Sequence, residues 1–515
     1  MNHVPATDKR RPKVVEWLQE YSIPLISGVV VALVLANIAP NFYRSIVWDS
    51  PLDFLQGTHT TESTPAAELL HHRTADNHEA GHTVAKVVSH HTQGNTASTA
   101  DQLGEETDAA VTTPTVTHEA TDPGQHEASH AGGLTHLLDH IFTMHFLVND
   151  IFMVFFFGIA AKEITEACLP NGALNPVSKA INPLCATVGG VLGPVAVFLG
   201  LNACIGQPVW LNGWGIPTAT DIALAWLVAK LIFGKGHPAI SFLLLLAVAD
   251  DAIGLGIIAV AYPDPAHPTE WLNALWIVPG MIVAFALRKK HVQTWIPYVA
   301  VGGAFAWWGL YSAHLHPALA LVFIVPFMPG PKQDFGLFVD EVEGGGSSGV
   351  PEHVVHGHSP LETFEHQLRL FVDGGLFFFA LANAGVSFGQ VTALTWIVVL
   401  SLLVGKTIGV TLFSWVANAV GFRLPDGMSL RHLIVTGSIA GLGLTVALFV
   451  SGQAFADPNT QGAAKMGALF SAGAAATSFA LAQALGVSNV KVDSLRRGWN
   501  VLLHALTARD QRAGG

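Results

Sequence analysis

Twelve stretches of this chain are long, apolar and nearly free of charge, and that pattern leaves few folds open. They run near 23–40, 143–162, 183–204, 215–233, 239–262, 271–288, 294–312, 315–329, 366–388, 392–420, 430–455 and 465–486. A helix needs about 20 apolar residues to cross roughly 30 Å of hydrocarbon. Inside lipid, only helices and closed barrels satisfy every backbone polar group. Of the 515 residues, 12% are charged and half are hydrophobic, whereas a soluble protein carries about twice that charged share. The expectation is an all-α integral membrane protein of about twelve transmembrane helices.

Positive charge orients the spans. With residues 1–22 in the cytoplasm and strict alternation, Lys9 to Lys13, Lys179, Lys230, Lys235, Arg288 to Lys290, Lys332, Arg423, Arg431, Arg496 and Arg497 fall inside. The outer loops keep Arg44, Arg73, Lys86 and Lys465. Such a bias is the positive-inside pattern, and it places both termini in the cytoplasm. The run after the basic start ends at Asn37-Ile-Ala-Pro40 without a small-x-small cleavage site, so it reads as a retained first helix. Segment 23–55 is that helix and its outer boundary; 56–135, rich in Thr, Ala, His, Glu and Asp, reads as a low-complexity periplasmic insert. Residues 136–329 then hold helices 2–8, 330–362 a cytoplasmic linker, 363–488 helices 9–12, and 489–515 a cytoplasmic tail. Cys168, Cys185 and Cys204 show no paired spacing, so neither disulfide nor zinc site is expected. A net charge of −12 argues against a nucleic-acid partner.

Charges within spans are the functional signal, because each costs roughly 2.5–3.5 kcal/mol at mid-membrane and such residues usually line polar paths. Asp250 and Asp251 stand near the middle of the apolar run 241–261. Adjacent helix positions point about 100° apart, so one carboxylate can face an ion path and the other a neighbouring helix. Close carboxylates in a buried setting can trade a proton for a cation, and a hard alkali ion wants oxygen ligands. Asp221 follows Pro217-Thr-Ala-Thr220 in a short, interrupted span, where freed carbonyls and the Thr220 hydroxyl could add ligands or Asp221 could balance helix-end dipoles. The other interruption is at Gly441 and Gly443 within 437–451; paired interruptions in two halves of a chain point to a transporter site. Lys406 reads as the one basic residue deep in a span, a partner for Asp250 or a counter-charge at the broken helices. Asp150, after Asn149, fits a helix-end role or an ion-access role equally.

At these residues the sequence resembles the NhaA family of bacterial sodium/proton antiporters. The pieces that carry the resemblance are Asn149-Asp150, Gly215-Ile-Pro-Thr-Ala-Thr-Asp-Ile-Ala-Leu-Ala225, Ala249-Asp-Asp-Ala-Ile-Gly254, Glu365-His366, Ala380 to Ser387, Gly405-Lys-Thr-Ile-Gly409 and Gly437 to Phe449. The resemblance implies an inverted-repeat transporter with two crossing interrupted helices. It implies exchange of cytoplasmic Na⁺ or Li⁺ for periplasmic protons, two per cation, in a bacterial inner membrane, for pH and sodium homeostasis. No cofactor is implied; a homodimer is. Asp250 and Asp251 become the ion and proton ligands, Asp251 the stricter one, with Thr220, Asp221 and Lys406 at the crossing. Lys162, Glu163, Glu365 and His366 fall in the cytoplasmic funnel tied to pH response. The chain departs from the pattern there, with Ala160 where a Glu is usual and Arg369 where a second His is usual. Two other readings compete. A sodium-coupled organic solute symporter wants fewer fixed charges. An intramembrane aspartyl protease wants an Asp after a Gly-x-Gly, where Leu444 stands.

Overall fold

The first helix shows how tightly this protein packs. In α1 (Ile23–Ile38), Pro24 sits in the first turn, where its missing N–H costs nothing. Leu25, Gly28 and Ala32 form its buried face. A methyl group on Gly28 would lie 2.5 Å from the Phe377 carbonyl oxygen, so only glycine allows the approach to α9 (Pro360–Asn383). Pro40 opens α2 (Pro40–Trp48), whose Tyr43 hydroxyl donates to the Leu381 carbonyl at 2.8 Å.

The computed structural model describes residues 22–49, 143–170, 172–175, 177–263, 268–330 and 359–488. The insert 56–135, the basic start, the linker residues 331–358 and the tail from 489 lie outside the described residues. All described residues except Asp49 and Thr143 belong to one compact unit. Its regular elements are helical, with no strand among the described residues.

The helices that frame the site come next in chain order. They are α3 (Met144–Cys168), α4 (Val177–Ile205), α5 (Ile222–Phe233) and α6 (Pro238–Ala261). α7 (Ile277–Lys289) and α8 (Ala304–Ser312) lead to α9, and α10 (Ala393–Val420) follows. The chain then forms α11 (Leu430–Ala440), α12 (Leu444–Ala454), α13 (Pro458–Phe470) and α14 (Gly473–Ala484). By length and composition α3, α4 (from Ala180), α6 and α10 can each cross a membrane. Two bent pairs pass the same test. One is the 3₁₀ segment Pro208–Thr218 with α5, bent by 56°; the other is α11 with α12, bent by 46°. Other apolar runs form shorter or tighter pieces. Run 271–288 starts as a 3₁₀ turn, Asn273–Trp276, before α7. Run 315–329 winds as 3₁₀ segments Pro317–Phe323 and Val325–Phe327; Pro317 opens the first, and Pro326, which has no N–H to give, falls where the two part. The last run is two helices, α13 and α14.

Two expectations change. Lys465 is no outer-loop residue: it lies within α13 and is 8% exposed. The helix starts at Pro458 behind an Asp457 cap, ahead of the apolar run, so Lys465 is carried inward. Nor is Lys406 the one buried lysine, since Lys162 in α3 is 2% exposed.

α4 and α10 cross at glycine. A methyl on Gly189 would collide with the Gly409 carbonyl, one on Gly193 with the Gly405 carbonyl, and one on Gly405 would lie 2.6 Å from the Pro194 Cα. Small residues at such spacing let membrane helices meet backbone to backbone, and here they fix the helix that bears Lys406.

Candidate ion site

Asp250 and Lys406 are both fully buried and form an ion pair through Asp250 Oδ2. Lys406 Nζ also donates to Thr220 Oγ1 at 2.6 Å. The Thr220 hydroxyl lies 2.9 Å from Asp250 Oδ2 and 3.0 Å from the Ala440 carbonyl, and its single proton serves one of them. Four pieces of chain thus meet at one point: α6, α10, the extended stretch before α5, and the end of α11. Lys406 follows a π turn, Ser401–Gly405. Such single turns often mark functional positions, since they re-aim the next side chain.

Asp251, one residue on, points elsewhere. It lines a small, narrow cleft whose other walls include Phe156, Phe157, Ala160, Ala219, Leu255 and Val446. Asp251 is the one charged residue of that lining. Asp250 Oδ1, Asp251 Oδ1 and Asp221 Oδ2 are buried without a hydrogen-bond partner among the described residues. Native structures leave few buried polar atoms unsatisfied, and each one asks for an explanation. Carboxylate oxygens held in this way are what a hard cation or a proton takes up. No group of three or more His, Cys, Asp and Glu in metal-holding geometry occurs among the described residues. Hydroxyl and carbonyl oxygens would therefore have to complete a shell around an ion on the two aspartates.

Both breaks lie beside this pair. Pro217 is non-helical (ψ 15°) and kinks the 3₁₀ segment one residue before its end at Thr218. Asp221 then caps α5, accepting from the Leu224 N–H at 3.1 Å. Its own N–H donates to the Leu442 carbonyl at 2.6 Å, which ties the first break to the second. A methyl on Gly443 would be 2.9 Å from the Ala219 carbonyl, and one on Gly441 2.8 Å from the Leu402 carbonyl. Glycine is required at both positions for this contact. Two helix N-termini, with partial positive charge, and two C-termini, with partial negative charge, are thereby buried together. Asp221 sits at one of the former, and the Lys406–Thr220 pair reaches one of the latter at Ala440.

The other singled-out residues divide into two groups. Lys162 is paired with Glu166 at 2.6 Å and with Glu365, and Arg369 stands 3.8 Å from Glu365. Glu163, next to Lys162, is near enough to Asp251 for the two charges to repel. His366 is exposed beside this cluster. Asp150 is half-buried in another π turn, Leu147–Phe152, where the neighbouring Asn149 accepts from Asn383 at 3.0 Å. The Asp250–Thr220–Lys406 contacts are made without Asp150 or His366. Several participants escaped the sequence reading. Glu166 was legible as the i+4 partner of Lys162. The carbonyls of Ala440 and Leu442, and the Ser471 hydroxyl that accepts from the Gly443 N–H at 3.4 Å, left no residue-type signal.

A family model described as Na⁺/H⁺ antiporter 1 matches residues 125–482. The Na(+)/H(+) antiporter NhaA of Desulfitobacterium hafniense is 48% identical over 480 residues, 93% of this chain and 98% of that protein. The one from Geobacter sulfurreducens is 56% identical over 348 residues, 68% of this chain and 88% of its own length. Na(+)/H(+) antiporter NhaA 2 of Pelobacter propionicus is 55% identical over 348 residues, with the same two shares.

Proposed function

The chain belongs to the Na⁺/H⁺ antiporter 1 family, and we propose that it carries one cytoplasmic Na⁺ or Li⁺ outward for two periplasmic protons in each cycle. It is a multi-pass membrane transporter that exchanges Na⁺ and H⁺. The finer reading is a bacterial inner-membrane protein of twelve spans with both termini in the cytoplasm. In it, 208–233 and 430–454 act as the crossing interrupted helices of an inverted repeat.

The observation that carries the reading is the Asp250–Lys406–Thr220 contact beside an Asp251 carboxylate oxygen that has no donor among the described residues. Asp250 cannot hold both Lys406 and an alkali ion on the same oxygen. A cation that binds the two carboxylates must displace the ammonium group and any carboxyl proton, and returning protons must expel the cation. Competition of this kind for one set of oxygens is exchange. Buried in a low-dielectric setting, neither carboxylate tolerates losing both partners at once. The Thr220 hydroxyl and the Ala440 carbonyl are placed to follow either occupant. Moving two protons against one cation transfers one net charge. At about 150 mV that supplies roughly 3.5 kcal/mol, enough for a several-hundred-fold sodium gradient.

A solute symporter would need room for an organic molecule, whereas Asp250 is committed to Lys406 and Asp251 faces a cleft walled by phenylalanine. A protease would need a second carboxylate facing the first, and Lys406 fills that place.

The test is Na⁺-driven proton movement in membrane vesicles. One unit charge about 4 Å from a cation is worth about 4 kcal/mol at an effective dielectric of 20. Asp251→Asn should therefore weaken Na⁺ binding at least about a hundredfold and Asp250→Asn similarly. Undiminished exchange in a correctly folded Asp251→Asn protein would remove the assignment.

A further inference from the structure

The end of α6 carries a buried phenol that lies outside the ion site. Tyr262 follows Ala261 at the end of the helix and is 5% exposed. Its hydroxyl donates to the Asn212 carbonyl at 2.8 Å and accepts from the Gly215 N–H at 2.8 Å. Both partners lie in the 3₁₀ segment Pro208–Thr218, the first half of the first bent pair. A carbonyl and an N–H three residues apart are the groups that a 3₁₀ turn joins, and such turns bond with poorer geometry than α turns. The phenol therefore reinforces a weak turn just before the chain reaches its break.

The fit between α6 and this segment is close. A methyl on Gly215 would lie 2.6 Å from Tyr262 Oη and 3.1 Å from Ile257 Cγ2, so only glycine lets the segment settle on this face of α6. Trp214 stacks on the phenol ring, with centroids 6.4 Å apart and planes 28° apart.

From Gly215 the constraint passes to the ion site in short steps. The Gly215 carbonyl accepts from the Thr218 hydroxyl at 2.8 Å. Ala219 comes next: it lines the cleft with Asp251, its methyl faces Gly254 of α6, and its carbonyl limits Gly443 at the second break. Thr220 then lies 2.9 Å from Asp250 Oδ2. α6 thus grips the interrupted segment at two places, at Asp250 through Thr220 and at Tyr262 through Gly215. Affinity for a hard cation depends on how rigidly its oxygen ligands are held, and between these two grips lie the oxygens that the break can offer.

We infer that Tyr262 is a positioning residue for cation binding. Its hydroxyl fixes the register of Pro208–Thr218 on α6, and with it the place of Thr220 and the Ala219 carbonyl beside the two aspartates. The inference rests on the ion-site reading above.

Tyr262→Phe removes the hydroxyl and keeps the ring. In Na⁺-driven proton movement its KM for Na⁺ should rise about threefold to tenfold, the equivalent of one net hydrogen bond, with a maximal rate within about twofold of wild type. Tyr43→Phe is the matched control: it also strips a buried hydroxyl from a carbonyl at 2.8 Å, but between α2 and α9. Its KM should stay within about twofold of wild type. Melting in detergent at constant ionic strength reads binding without transport. There the Na⁺ concentration that gives half of the stabilisation should rise in Tyr262→Phe by the same factor as KM. An unchanged KM in Tyr262→Phe, a loss of maximal rate alone, or an equal rise of KM in Tyr43→Phe overturns the inference. If Tyr262→Phe yields no folded protein, Gly215→Ala, which forces the phenol aside, should show the same rise in the melting titration, and an unshifted midpoint overturns the inference. Full exchange in Asp251→Asn would instead count against the ion-site reading itself, whatever Tyr262→Phe does.

Discussion

Three lysines are buried among the described residues, and they are not equivalent. Lys406 has Asp250, and Lys162 has Glu166 and Glu365. Lys465 has neither hydrogen bond nor ion pair among the described residues, and it lies one helical turn from Gln461. That glutamine donates to the carbonyls of Gly452 and Phe455 at the end of α12. Removing one member of a buried pair strands the other and costs about 3–5 kcal/mol. Removing an uncompensated charge while keeping an apolar stem relieves a penalty. Lys465→Met should therefore raise the melting temperature of the purified protein, by the equivalent of about 1–3 kcal/mol. Lys406→Met should lower it. A lower Tm for Lys465→Met would show that the end of α12 holds this charge after all. The contrast also shows what one dimension of sequence can carry. A charge inside an apolar run is legible on its own, as with Asp250, Asp251 and Lys406. Lys465 stood at the edge of such a run, and the Asp457 cap that draws it inward lies before the run begins.

Helices were legible from apolar length, but their contacts were not. The glycines of α4 and α10 were visible as residues, yet nothing in either segment says that Gly189 faces Gly409 or that Gly193 faces Gly405. The same holds for the breaks: Pro217, Gly441 and Gly443 mark where a helix stops, while the Asp221–Leu442 hydrogen bond that joins the two stops is purely tertiary. The α4–α10 crossing can be tested directly. A methyl at 409 would collide with the Gly189 carbonyl, whereas one at Gly200, on α4 itself, meets nothing within 4 Å. Overpacking typically costs about 1–3 kcal/mol, so Gly409→Ala should lose about that much stability and Gly200→Ala very little. Because Lys406 rides on α10 one turn before Gly409, the first variant should also lose exchange in proportion. Equal melting temperatures for the two variants would remove the packing account.

At the scale of the whole molecule, the exchange machinery and the insert 56–135 separate cleanly. Every residue of the ion site lies outside the insert. The relatives from Geobacter sulfurreducens and Pelobacter propionicus match over 348 residues at 55–56% identity, a length the chain can supply without it. The 480 residues matched by the Desulfitobacterium hafniense protein cannot be found without part of the insert. The segment thus has at least one related counterpart. It is acidic and His-rich, and in the proposed orientation, with the insert outside, its charges would gather cations and protons near the surface. That attraction fades over about 8 Å at physiological ionic strength. A chain lacking 56–135, closed by a short Gly-Ser link, should therefore exchange at a maximal rate within about twofold of wild type, with apparent proton affinity changed at low salt and restored to equality at high salt. Vesicle flux at two ionic strengths measures both quantities. If a folded deletion protein loses exchange at either salt, the insert belongs to the transport path, and the ion site between α6, α10 and the two breaks does not suffice by itself.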